Sequence, residues 1–170
     1  MKKVLLLSAI ALVTLGIKAQ DDKSKRPSPP AKVTETISNG TVITIDYSQP
    51  AVKGREIGKE IAPYGKVWRT GANEATTFEV SKDVKVEGKS LPAGKYGLFT
   101  IPNKEEWVVI FNKTPNQWGA YKYAESDDVL RVKVKPTKAP QFTERMTFNV
   151  DKSGKVSLLW GNEEVDFSVK

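Results

Sequence analysis

Short runs of alternating apolar and polar residues, each closed by a turn, dominate this chain from residue 33 onward. A period of two puts every second side chain on one face, which a half-buried strand requires and a helix cannot use. Residues 33–37 and 41–47 flank Ser38-Asn39-Gly40. Asn-Gly between two β-prone runs is the strongest short-range hairpin signal. Residues 75–80 alternate, with Phe78 and Val80 on one face and Thr77 and Glu79 on the other. Residues 84–87 form a short run closed by Gly88, and Leu91-Pro92-Ala93-Gly94 reads as a turn.

Residues 96–101 and 107–111 are apolar on both faces. Strands of that kind are expected to be covered on both sides. Residues 129–135 send Leu130, Val132 and Val134 one way and Arg131, Lys133 and Lys135 the other. The basic row can grip an anionic partner, but a solvated sheet face produces the same pattern. Residues 142–150, 155–160 and 165–169 complete the set, the first two joined through Asp151-Lys152-Ser153-Gly154. About ten short strands at roughly 8–12-residue spacing, with no long amphipathic helix, predict an all-β fold. An antiparallel β-sandwich is the expected architecture and a closed barrel the alternative. Residues 48–70 have weak strand character, with a short helical turn expected near residues 62–66. Loops of that length in compact domains are often functional.

The start of the chain reads as an address. Met1-Lys2-Lys3 is basic, residues 4–17 are apolar or small apart from Ser8 and Thr14, and Lys18-Ala19-Gln20 follows. This layout predicts a secretory signal at residues 1–19, cleaved after Ala19. The apolar run, at about 14 residues, is shorter than the roughly 20 needed to span a bilayer. No stable membrane span is therefore expected after cleavage, and the destination is the periplasm or the outside of the cell. Residues 20–32 are charged and rich in Pro and Ser, which predicts a flexible tether. Residues 33–170 are then one domain, enough chain to bury a core. The formal net charge is +7. Loss of Lys2, Lys3 and Lys18 with the signal leaves 24 basic against 20 acidic residues, or +4. That balance does not argue for nucleic acid, and no aromatic-basic RNA motif is present.

The chain has no Cys and no His. This excludes disulfides, thiolate nucleophiles, His-based triads and His- or Cys-ligated metals. The balance leans away from an enzyme, and no cofactor and no metal is assigned. The densest chemistry lies between Tyr64 and Thr76, in the run Tyr64-Gly65-Lys66-Val67-Trp68-Arg69-Thr70-Gly71-Ala72-Asn73-Glu74-Ala75-Thr76. Arg69 can pair bidentately with a carboxylate or phosphate. Asn73 and Glu74 can bond sugar hydroxyls while Trp68 stacks on the ring. In the competing reading Trp68 plugs one end of the sandwich and Arg69 pairs with Glu74 or another internal acid. Trp118-Gly119-Ala120-Tyr121 supplies a second aromatic patch on a loop. Exposed aromatics there suit a sugar face; a loop folded back over the core is the alternative.

Three further features carry weaker signals. Glu125-Ser126-Asp127-Asp128 holds three acids, but their spacing matches no calcium loop. Glu74 with Asp127 or Asp128 can in principle form a glycosidase acid/base pair. Glu144 shares strand parity with Phe142, Met146 and Phe148, which points it inward, toward Arg69 or Arg131, unless a β-bulge near Thr143 breaks the alternation.

Asp46-Tyr47-Ser48-Gln49-Pro50, the Tyr64–Thr76 block, the Leu91-Pro92-Ala93-Gly94-Lys95-Tyr96 turn and Trp118-Gly119-Ala120-Tyr121 together resemble domain-of-unknown-function family 2911. Members of that family are exported proteins common in Bacteroidetes-type bacteria. The resemblance spans residues 33–169. It implies an envelope location and a β-rich domain, and it transfers no catalytic role. The family's hallmark positions fall on Tyr64, Gly65, Trp68, Arg69 and Gly71, then on Asn73, Glu74, Trp118 and Tyr121. Where members often carry Trp-Glu near the C-terminal end, this chain has Trp160-Gly161. The expectation is a non-enzymatic module binding a glycan or small polar ligand through Tyr64, Trp68, Arg69, Asn73, Glu74, Trp118 and Tyr121. An envelope protein that binds only a protein partner is the alternative, and a carboxylate-dependent glycoside hydrolase the third.

Overall fold

The computed structural model describes residues 22–170; the expected signal segment lies outside them. Ten strands are present: β1 (Pro30–Thr36), β2 (Val42–Ser48), β3 (Thr77–Val80), β4 (Val84–Val86), β5 (Lys89–Leu91), β6 (Gly94–Ile101), β7 (Trp107–Asn112), β8 (Asp128–Val134), β9 (Thr137–Val150) and β10 (Lys155–Ser168). Six of them form one antiparallel sheet in the order β1-β2-β3-β6-β7-β8. Its edges β1 and β8 do not pair, so the sheet is not closed into a barrel. The long β9–β10 hairpin forms the second layer of a sandwich-like fold, and β4–β5 is a small satellite hairpin.

Alternation sets the layers. Ile43, Ile45 and Tyr47 of β2 are buried, while Val42, Thr44 and Asp46 between them are partly exposed. The main core lies between the six-stranded sheet and the hairpin. There Phe167 of β10 packs against Phe78 and Phe111 of the sheet, each with centroids 6.0 Å apart. Tyr47 meets Phe148 of β9 edge-on at 5.1 Å. Edge-to-face contacts of this kind add to the area they bury.

The two doubly apolar runs are β6 and β7, and both are covered on both faces. Leu98, Trp107, Val109 and Phe111 enter the main core. Phe99 and Ile110 point the other way into a second, smaller core with Ala75. Tyr123 lies over Phe99 at 5.1 Å and belongs to the long connection between β7 and β8. That connection is anchored by Asp128, which accepts from the Tyr123 hydroxyl (2.6 Å), Asn112 Nδ2 (2.8 Å) and Arg131 Nε (2.7 Å). Burial and the bond to Asp128 push the Tyr123 phenol up to about 12.

Several sequence expectations change. The runs 155–160 and 165–169 belong to one continuous strand, β10, which passes through Gly161. Opposite it, β9 carries extra residues: Leu159 pairs with Thr147, but Gly161 pairs with Thr143. This bulge breaks the parity that pointed Glu144 inward. Glu144 is exposed, and its carboxylate accepts from the Lys53 N–H at 2.8 Å, not from Arg69 or Arg131. No helical turn forms at residues 62–66; a tight turn takes its place, with the Lys66 N–H donating to the Pro63 carbonyl at 3.3 Å. The basic row on β8 is engaged by acids: Arg131 with Asp128 and Glu125, Lys133 with Glu106. Strand β1 begins at Pro30, inside the stretch read as a tether.

Candidate functional site

Residues 48–70 leave β2, cross one end of the sandwich and return beside β6. Trp68 and Thr100 exchange backbone hydrogen bonds at 2.7 and 2.9 Å, which fixes the start of the 68–76 block. The Trp68 indole stacks on Trp160 of β10, with centroids 5.2 Å apart and an interplanar angle of 10°, and its edge meets Trp107. One face of Trp68 is therefore taken by the protein itself. The expectation that Trp68 offers a free stacking face is corrected to this extent.

The chain then makes two unusual backbone turns. Thr70 has φ 51° and Asn73 φ 60°. A β-branched residue in the left-handed region is strained, and such residues persist only where neighbours over-determine them. Thr70 is fully buried. Its carbonyl accepts from Thr76 Oγ1 at 2.7 Å, and its own hydroxyl donates to Thr100 Oγ1 at 3.2 Å. The 118–121 loop lies alongside: the Ala75 N–H donates to the Gln117 carbonyl, and the Gly119 N–H donates to the Asn73 carbonyl at 3.0 Å.

These turns enclose a cleft of about 660 Å³. Trp68, Arg69, Asn73, Tyr121, Arg55 and Trp160 are among its lining residues. Tyr121 is 84% exposed and stands at the rim. Arg69 is partly buried; its Nε has no acceptor among the described residues. The Trp160 indole N–H likewise lacks an acceptor among them. Gly119 makes room for Arg69, because a Cβ at that position would lie 3.0 Å from Nη1 and 2.9 Å from the Tyr121 ring. With φ 65°, position 119 also suits glycine on backbone grounds.

Glu74 is not in this cleft and does not pair with Arg69. It accepts from Lys23 Nζ at 2.9 Å and from Arg26 Nη1 at 3.0 and 3.2 Å. Partial burial alone would raise its carboxyl. The bonds from Lys23, from its own backbone N–H and from Arg26 outweigh that and hold it at about 2. The Arg26 guanidinium also sits over the Trp118 ring, 6.0 Å from its centroid. Asn73 Nδ2 donates to the Ser28 carbonyl at 3.1 Å, and Ser28 lines the cleft. The N-terminal segment thus straps across Asn73, Glu74 and Trp118 and forms one wall of the cleft.

Tyr64 lies apart, in an adjoining cavity of about 270 Å³ with Phe142 and Glu163. Burial and the neighbouring Glu163 push its phenol up, and burial pushes the Glu163 carboxyl up. Arg55 lines both cavities. The acids considered for calcium or glycosidase chemistry are tied elsewhere. Asp127 is held by Lys113 and Thr114, which lower its pKa. Among the described residues no group of three or more acidic side chains is placed to hold a metal ion.

The 68–76 block and the 118–121 loop, apart in sequence, converge on one cleft. The family described as "Protein of unknown function (DUF2911)" matches residues 28–169. The chain belongs to the DUF2911 family. The match starts at Ser28, in the strap, so this DUF2911 domain includes part of the cleft's N-terminal wall. No curated protein and no solved structure matches the chain.

Of the seven residues expected to bind ligand, the structure brings Trp68, Arg69, Asn73 and Tyr121 together. Tyr64 faces the adjoining cavity, and Glu74 and Trp118 face the strap. Sequence reasoning missed Trp160, Arg55 and Arg26. Trp160 carried the inward parity of β10, but nothing pointed to Trp68 as its partner. Arg26 lies in a segment whose composition alone reads as unstructured.

Proposed function

We propose that this DUF2911 domain is a non-enzymatic binding module of the cell envelope, which holds a small polar ligand such as a glycan in the Trp68–Arg69–Tyr121 cleft. The observation that carries this reading is a cleft of about 660 Å³ walled by aromatic residues and a few convergent polar groups. Small-ligand sites commonly occupy cavities of roughly 300–1,000 Å³. Strained backbone at Thr70 beside the cleft adds support, since such strain clusters where ligands bind.

The hydrolase reading loses support. A general acid needs a raised pKa, and Glu74 is held at about 2 by two cations. Export rests on the pattern of residues 1–19 alone. Sequencing the N-terminus of the protein recovered from the periplasm checks it, with Gln20 as the expected first residue.

The binding reading is tested by a thermal-shift screen of mono- and disaccharides and small polar metabolites. The wild type is compared with Ala72→Trp, which fills the cleft. At least one compound is expected to raise the Tm of the wild type and leave that variant unmoved. No shift with any compound, or equal shifts in both proteins, sinks the reading.

A further inference from the structure

We propose that the ligand of this cleft is an anion, bound through carboxylate or phosphate oxygens by the Arg69 guanidinium. The inference rests on the binding reading of the same cleft and adds the chemical class.

The chain has five arginines, and the other four are tied to protein acceptors. Arg26 pairs with Glu74 and Arg131 with Asp128. Arg55 donates to the Ala51 and Val52 carbonyls at 2.7 and 3.1 Å, and Arg145 donates to the Pro27 and Gln49 carbonyls at 3.2 and 3.4 Å. Arg69 has no such partner among the described residues, although its Nε is fully buried. Removing a cation's donor from water without an acceptor is unfavourable. A residue kept only to hold the fold together would not carry that penalty.

The surroundings favour the same chemistry. Gly119 leaves open the space beside Nη1 that any side chain would fill. Arg55 and Arg69 line the cleft against one carboxylate, Glu60, which already accepts from the Glu56 N–H at 2.8 Å. A cleft supplied with donors and positive charge, and poor in free acceptors, recognises oxygen-rich anions. A planar guanidinium fits both carboxylate and phosphate in bidentate fashion. An acidic sugar and a phosphorylated one share this chemistry.

The test follows the Arg69 Nε–H resonance by NMR at constant ionic strength. The protein is titrated with glucuronate, with inorganic phosphate and with neutral glucose. Glucuronate, phosphate or both are expected to shift the resonance saturably, with glucose at least tenfold weaker. A response to glucuronate alone assigns a carboxylate source, and a response to phosphate alone a phosphorylated one. Arg69→Met should weaken anion binding about tenfold to a hundredfold, the range for charge-assisted bonds. It should leave the Tm of the ligand-free protein unchanged or higher, because an unpaired charge is removed. A marked fall in that Tm overturns the proposal in favour of a structural role. So does a resonance that no anion moves, or anion affinity that survives in Arg69→Met. If neutral compounds from the thermal screen bind the cleft while anions do not, the anion inference fails and the binding reading stands. If nothing binds, both fail.

Discussion

Glu74 is where residue chemistry departs furthest from its sequence appearance. It sits in the densest run of polar and aromatic groups, yet its partners are Lys23 and Arg26 from the strap. Its carboxyl falls from an ordinary 4.5 to about 2 in the folded protein. A depressed acid contributes its full stabilisation above its unfolded pKa and loses it as pH falls through the folded value. Docking of the strap should therefore be intact above about pH 4.5 and weaken progressively toward pH 2. Amide exchange of residues 22–29 reads this directly, and Glu74→Gln should give weak protection with little pH dependence between those limits. An unchanged profile in that variant would show that other contacts hold the strap. The sequence made Arg69 and Glu74 look like natural partners because they are five positions apart with opposite charge. Thr70 and Asn73 in left-handed conformation turn the two side chains to different sides, and no composition rule foretells φ 51° at a threonine.

At the scale of elements the alternating pattern was most informative. The Asn39-Gly40 hairpin and the double coverage of β6 and β7 were legible, because each follows from local turn chemistry or from apolar residues on both faces. The bulged β9–β10 pairing was not. Extra residues between Thr143 and Thr147 reverse the facing of Glu144, and such an insertion leaves no mark on hydrophobic period until the partner strand is known. The second core is closed by the β7–β8 connection, through Ala120 and Tyr123, together with Val67 and Ala75 of the segment before β3. Phe99→Ala should cost about 3 to 5 kcal/mol in chemical denaturation, as large buried aromatics do. It should also loosen that connection, seen as lost protection around Tyr123. A loss below about 1 kcal/mol would mean that the small core contributes little.

For the molecule as a whole, the sandwich was readable and the cleft only half so. Four expected residues meet there, but their meeting depends on the 48–70 excursion and on a segment with no strand signal at all. That segment joins the body through side-chain contacts at Glu74, Asn73 and Trp118, through Arg145 on the Pro27 carbonyl and through one backbone bond from the Gln49 N–H to the Pro29 carbonyl, whereas β1 just after it is held by a ladder pairing Pro30 with Ser48 through to Thr36 with Val42. The double variant Arg26→Ala with Lys23→Ala should therefore lower global stability by about 1 to 3 kcal/mol, the range for half-buried bonds to charged groups, and leave unfolding cooperative. The same change should free residues 22–26, while Ser28 stays held by Asn73 and its neighbours by Arg145 and Gln49. Loss of cooperative unfolding in that variant would instead make the strap part of the fold proper.

The strap has a mechanical consequence. Tension applied to the chain from its N-terminal side meets the charge pairs at Glu74 and then single hydrogen bonds to the Pro27, Ser28 and Pro29 carbonyls before it meets the β1–β2 ladder. The first motion under load is then a wall of the cleft drawing aside while the strand ladders stay whole. In a domain built this way the approach to the cavity would change before any strand is lost.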